Sequence, residues 1–221
     1  MVRFFQVRIG FVFFCDKILF AFMNQSKPFR IAVLASTKGT DLQAIIDEVK
    51  AGTLPVDLAC VISNKECYAI QRAKEQGYET FYINPKGKTR EEFDREMAKI
   101  LDDHGVQLIV LVGYMKILSN WFVKHFWRKI INVHPALIPK YCGPNFYGAN
   151  VHEAVLANHE KETGMTIHYV DEICDHGEII LQKKCEVKPD DTPDTLKARV
   201  QGLEKKWYPE VIRKIVDSRK I

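Results

Sequence analysis

Leu108-Ile-Val-Leu-Val112 restricts the fold of this chain more than any other stretch. Five apolar residues in a row, most of them branched, leave no polar side for water, so the run reads as a strand covered on both faces. Such strands lie at the centre of parallel sheets. Its surroundings repeat the pattern. Ile31 to Ala35 is another short apolar run, followed by Ser36-Thr-Lys-Gly-Thr-Asp41 and then Leu42-Gln-Ala-Ile-Ile46, a strand, a glycine-containing loop and a helix. Val56 to Ile62, the turn Ser63 to Lys65 and a helix from Ala69 to Gln76 closing at Gly77 form a second unit. Glu79 to Ile83 is a third strand, and Thr89 with Glu92 three residues on makes a capping box for the helix behind it. The alternation predicts an α/β fold with a doubly wound, mostly parallel sheet.

The C-terminal third departs from that rhythm. Val151 to Ala157 reads as a helix, Thr163 to Val170 alternates as a strand, and Asp171 to Gly177 turns the chain into a further strand from Ile179 to Val187. A hairpin there adds an antiparallel edge to the sheet. Pro193 to Lys214 is a final long amphipathic helix, capped by Thr192 or Asp191, with Leu196, Val200, Leu203 and Trp207 on one face.

At 221 residues the chain is long enough for one sizeable core. Residues 23–221 are expected to form a single domain. Residues 1–22 are an atypical leader, rich in phenylalanine, in which Arg8, Asp16 and Lys17 interrupt every apolar run before spanning length; Met23 is the expected start. A net charge of +4 from 32 dispersed basic residues describes solvated helix faces, so neither nucleic acid nor a membrane is an expected partner. The six cysteines contain no CxxC pair and no finger-type or HExxH spacing, which points to free thiols in a reducing, cytoplasmic setting and to no metal.

In an open α/β sheet, ligands bind beyond the carboxyl ends of the strands. That rule selects Ser36 to Asp41, Gly113 to Lys116 and Asn132 to Pro139. Asn132-Val-His134-Pro135 carries the chemistry. Side chains two apart on a strand share a face, so Asn132 and His134 project together while Ile131 and Val133 bury on the other side, and Pro135 ends the strand. The turn Asp175-His-Gly177 adds a carboxylate. Asn132, His134 and Asp175 each have an ordinary structural explanation as turn formers or backbone partners. The loop Gly39-Thr-Asp41 is open to two readings as well: a phosphate seat at a helix N-terminus, or a plain helix cap by Thr40 or Asp41.

Asn132-Val-His134-Pro135-Ala-Leu-Ile-Pro139 together with Asp175-His-Gly177 resembles the folate-dependent formyltransferases, whose catalytic set is an N-x-H-P-S/A-L-L/I-P motif and a later D-x-G aspartate. The resemblance spans about residues 30 to 216 and runs closest to the members that act on glycinamide ribonucleotide in purine synthesis. It implies a Rossmann-like formyltransferase fold, with 10-formyltetrahydrofolate as co-substrate, glycinamide ribonucleotide as acceptor, and a monomer or homodimer. By resemblance, Asn132, His134 and Asp175 are catalytic; Gly39, Thr40, Asp41, Gln201 and Glu204 hold the nucleotide substrate; and Arg90, Met115, Lys116, Ile117, Leu118, Asp171, Glu172, Ile173 and Cys174 line the folate site.

Three departures from the family pattern stand out. Asp41 replaces the asparagine expected against phosphate, which implies repulsion unless the carboxylate turns away as a cap and Lys38 supplies the charge. Lys116 stands where arginine is common, and the loop Gly143 to Gly148 lacks the histidine of many relatives. Formyl transfer to an amine passes through a tetrahedral carbon bearing an oxyanion, so Asn132 and a protonated His134 are the expected donors and Asp175 the group that orients His134 and moves protons. The alternatives are formylation of another amine, such as a sugar nucleotide, or a catalytically silent folate- or nucleotide-binding module.

Overall fold

The computed structural model describes residues 28–219; the leader, Met23 and Cys15 lie outside them. Seven strands form one sheet in the order β3-β2-β1-β4-β5-β6-β7. The strands are β1 (Phe29–Ala35), β2 (Val56–Ser63), β3 (Thr80–Tyr82), β4 (Leu108–Val112), β5 (Ile130–His134), β6 (Glu162–Tyr169) and β7 (Ile179–Glu186). The first five pair in parallel, and β6 and β7 add antiparallel. The helices are α1 (Thr40–Lys50), α2 (Tyr68–Glu75), α3 (Arg90–Asp103), α4 (Asn120–His125), α5 (Ala149–Ala157) and α6 (Pro193–Ser218).

Two-sided burial explains why β4 is central. Leu108, Val110 and Val112 pack with Ile45, Ile46, Val200 and Ile212 on the face covered by α1 and α6. Ile109 and Leu111 pack with Phe93, Met97 and Phe122 on the face covered by α3 and α4. Strand alternation thus divides one apolar run between two cores. On β5, Ile131 and Val133 enter the first core and Ile130 the second. Asn132 and His134 share the second face, past the apolar layer.

Local signals hold at most boundaries. Thr89 and Glu92 close the capping box of α3, and Thr192 caps α6. At α1 the reading of Thr40 or Asp41 as a plain side-chain cap does not hold. Gly39 is the N-cap, left-handed at φ 67°, and no side chain caps the helix. A Cβ there would lie 2.7 Å from that of Ala69, so close packing of α1 against α2 requires glycine. Helix α6 runs four residues beyond the expected Lys214 and continues through Pro209, because the buried face formed by Tyr208, Val211, Ile212 and Ile215 outweighs the missing N–H.

Candidate active site

The antiparallel register of β5 and β6 assembles the polar corner. Asn132 lies opposite His168, and His134 opposite Thr166. Asn132 Nδ2 is 3.3 Å from His168 Nε2, while His168 Nδ1 is 2.8 Å from the carbonyl of Tyr169. The carbonyl can only accept, so Nδ1 carries a proton, and Nε2 is turned toward the Asn132 amide and Asp175. The second amide N–H of Asn132 remains for a ligand.

Asp175 completes the group. Its Oδ2 lies 3.5 Å from His134 Nδ1 and its Oδ1 3.7 Å from His168 Nε2. The backbone N–H of Gly143 donates to Oδ2 at 3.0 Å, fastening the loop after β5 to the β6–β7 turn. Asp175 itself is left-handed at φ 55°, a conformation that aspartate tolerates better than most residues. Gly177 is required two residues on, since a Cβ would meet the Tyr169 carbonyl at 1.9 Å. The Asp-x-Gly spacing is therefore a packing constraint as well as a motif.

His134 donates from Nε2 to the carbonyl of Tyr141 at 2.7 Å, so Nδ1, beside Asp175, is the nitrogen left for reacting atoms. Burial lowers its pKa, and the Asp175 charge and the Tyr141 bond recover only part of the loss. The resting imidazole is neutral. Burial would raise Asp175, but contacts from His168, His134 and the Gly143 amide outweigh it and hold the carboxyl below the usual range. Thr166 secures the loop that follows His134, donating to Ala136 O at 2.7 Å and accepting from Ile138 N at 3.1 Å.

Ser36, at the end of β1, joins two further strand-end loops. Its hydroxyl donates to Asn64 Oδ1 at 2.6 Å and accepts the Met115 N–H at 3.1 Å. Arg90 and Lys116 both lie within the electrostatic reach of the buried Asp94, whose Oδ2 accepts the Ser119 N–H at 2.5 Å. Met115 and Ile117 are exposed, whereas Leu118 is buried in the core, so its side chain supports the segment from beneath. Ile173 and Cys174 are exposed at the tip of the Asp171–Asp175 loop. Glu172 pairs with Lys124 at 3.0 Å, and Asp171 accepts from Ile173 N and His176 within its own turn.

Gly39 packs on Ala69 of α2, and α1 packs against α6. Asp41 is 6 % exposed with Oδ1 unpartnered, and burial raises its pKa to about 6 against the opposing charge of Lys205. No side chain caps the helix, and the Asp41 carboxylate is buried within electrostatic reach of Glu204 on α6. Glu204 is equally buried, and burial followed by the Asp41 charge raises it to about 8. Gln201 lies half-buried one turn earlier on α6.

His168 and His152 are the functional candidates that motif reading left in the background. His168 depends on cross-strand register, which no local signal carries. His152 on α5 is buried with Nδ1 unpartnered, and burial, then the charges of Lys197 and His134, lowers its pKa to about 4. Five free cysteines occur among the described residues, and burial pushes the Cys60 thiol up to about 12. No group of three or more His, Cys, Asp or Glu among the described residues is placed to hold a metal, and no described helix is long and apolar enough to cross a membrane.

An amide donor, an imidazole and a carboxylate thus meet at the carboxyl end of β5 on a doubly wound sheet. The formyl transferase family model matches residues 29–212, and the chain belongs to that family. Over 192 residues it is 40 % identical to the phosphoribosylglycinamide formyltransferase of Haemophilus influenzae, covering 86 % of this chain and 88 % of that protein. It is 38 % identical over 199 residues to the human trifunctional purine biosynthetic protein adenosine-3, covering 89 % of this chain but 19 % of that longer protein. The solved phosphoribosylglycinamide formyltransferase of Coxiella burnetii superposes with a TM-score of 0.81 at 39 % identity, covering 87 % of this chain and 89 % of that one.

Proposed function

We propose that this chain transfers the formyl group of 10-formyltetrahydrofolate to the amine of glycinamide ribonucleotide, a step of purine biosynthesis. The supporting observation is the network of Asn132, His134, His168 and Asp175 within a chain so similar, along nearly its full matched length, to phosphoribosylglycinamide formyltransferases. The amine is itself the nucleophile, so no covalent enzyme intermediate is needed. It attacks the formyl carbon, the carbonyl electrons pass to oxygen, and the free N–H of Asn132 meets the oxyanion. His134 adds a second donor once Nδ1 takes a proton, a state that the Asp175 carboxylate favours. Asp175 accepts the proton leaving the amine, directly or through water; the oxyanion then re-forms the carbonyl, the bond to the folate nitrogen breaks, and that proton passes from Asp175 to the leaving nitrogen.

The glycinamide ribonucleotide phosphate sits at the start of α1, where the first amides have no intrahelical partners. Gln201 and Glu204 reach it from α6. Arg90, Met115 to Leu118 and the Asp171–Cys174 loop surround the folate. The enzyme works in the cytoplasm as a monomer or homodimer. Incubation with both substrates, following folate absorbance and formylated product, tests the reading. Turnover in the parent chain should fall about a hundredfold or more in Asn132→Ala, the usual effect of removing one oxyanion donor. Folate release without formylated nucleotide would defeat the assignment.

A further inference from the structure

The chain crosses from β4 to α4 through Gly113–Leu118, and two buried polar groups hold that crossing near its ends. Toward the start, the Met115 N–H donates to Ser36 Oγ at 3.1 Å, and Ser36 is buried at the end of β1. Just past the end, the Ser119 N–H donates to Asp94 Oδ2 at 2.5 Å. Asp94 lies on the inward face of α3 and is fully buried. Ser119 is also the N-cap of α4, its hydroxyl accepting the Phe122 N–H at 3.2 Å. One bond therefore fixes the end of the crossing and the start of the helix together.

Between the two anchors the side chains divide. Leu118 is buried in the core that contains Phe93 and Phe122. Met115 and Ile117 are exposed. Lys116 reaches back to α3, its Nζ 5.0 Å from the centre of the Phe93 ring. The crossing thus presents two apolar side chains and an ammonium on a backbone tied at both ends.

Asp94 is a costly residue for its place. The other inward residues of α3, Phe93, Met97, Ala98 and Leu101, are apolar and build the core. The Asp94 carboxyl has lost its water, and its Oδ1 is buried with no hydrogen-bond partner in return. Burial raises its pKa, and the Ser119 bonds and then the charges of Lys116 and Arg90 recover only part. What the carboxyl contributes against that cost is the hold on Ser119.

We propose that Asp94 is a positioning residue for the folate: by holding the Ser119 N–H it fixes the course of Met115–Leu118 against the bound co-substrate, which it does not itself touch. This deepens the functional reading and rests on it for the ligand that meets the segment. A segment ordered beforehand loses less freedom when a ligand settles on it, so the benefit falls on affinity. Asn132, His134 and Asp175 are held by other elements, through bonds in which Asp94 takes no part.

The test uses the full chain and three variants. Asp94→Ala removes the acceptor, and Asp94→Leu removes it without leaving a cavity, so it stands in where Asp94→Ala does not fold. Asp94→Asn keeps an oxygen for the Ser119 N–H and should restore the parent behaviour. In initial-rate measurements the KM for 10-formyltetrahydrofolate should rise about tenfold in Asp94→Ala or Asp94→Leu, the scale of ordering one or two side chains on binding. The KM for glycinamide ribonucleotide and kcat should stay within about twofold, because uniform binding of one substrate is what is lost. Amide hydrogen exchange should quicken in residues 113–119 and keep the parent rates elsewhere.

An unchanged KM for the folate overturns the proposal. So does a joint loss of kcat and both KM values with faster exchange throughout the chain, which is the mark of a merely structural residue. Equilibrium binding separates the proposal from the reading beneath it. Folate affinity that falls in Asp94→Ala and returns in Asp94→Asn, with no formylated nucleotide made even by the parent, supports the positioning role and defeats the functional reading.

Discussion

The corner at the end of β5 and the corner at the start of α1 are both polar, both buried and both at carboxyl ends of parallel strands, yet they are satisfied in opposite ways. Around Asn132, His134, His168 and Asp175, hydrogen bonds and the flanking imidazoles keep the carboxylate in its ionised form. Around Asp41 and Glu204, two acids of the same sign are buried together with one oxygen unpartnered. The first arrangement lowers the pKa of its acid, and the second raises both of its acids. Residue type alone does not assign a carboxylate its role; the company it is buried with does.

The largest effect that sharpens this contrast is expected from Asp175→Asn. The variant keeps the shape of the side chain but removes the proton acceptor and the charge that supports His134. kcat should fall by about two to four orders of magnitude, the range for losing a positioned acid–base group. Nucleotide affinity should change little. A variant that loses affinity but keeps kcat would move Asp175 from chemistry to binding.

A smaller effect is expected in the pH dependence of stability, and its sign differs between the corners. His152 binds its proton at about 4 when folded and near 6.5 when unfolded, so its neutral form is accommodated above 6.5 and stability falls as pH drops from 6.5 toward 4. Asp41 and Glu204 bind protons more tightly when folded, so their contribution is complete at acid pH and is lost as pH rises through about 6 and about 8. Denaturant unfolding should therefore give a dome. His152→Asn should lessen the acid decline and Asp41→Asn the alkaline one. A parent chain equally stable from pH 4 to 9 would break the contrast.

The smallest effect is expected far from both corners. Thr89→Ala removes the side-chain cap of α3 and should cost about 1 kcal/mol in denaturant unfolding. kcat should stay within about twofold, since rates follow only energies that differ between ground and transition state. A larger loss of activity would mean that the start of α3, where Arg90 lies, communicates with the reacting centre.

Much of the architecture was legible because its causes are local. A continuous apolar run such as Leu108–Val112 has one comfortable environment, the capping box at Thr89 announces its helix, and alternation places Asn132 and His134 on one face of β5. Of the two readings open at α1, the cap by Thr40 or Asp41 is not found, although both are good capping residues. Close packing of Gly39 on Ala69 decided the geometry instead.

By itself the sequence determined the strand–helix alternation, the polar pair on β5, the Asp-x-Gly turn and the family resemblance, since each depends on residues adjacent in the chain. Only the tertiary structure decided that His168 stands opposite Asn132, that His134 uses Nδ1 toward Asp175, and that Asp41 is buried within electrostatic reach of Glu204. Those outcomes depend on strand register and helix packing between residues 36, 41 and 163 positions apart, and on burial, which sets the cost of a charge only after the chain has closed around it.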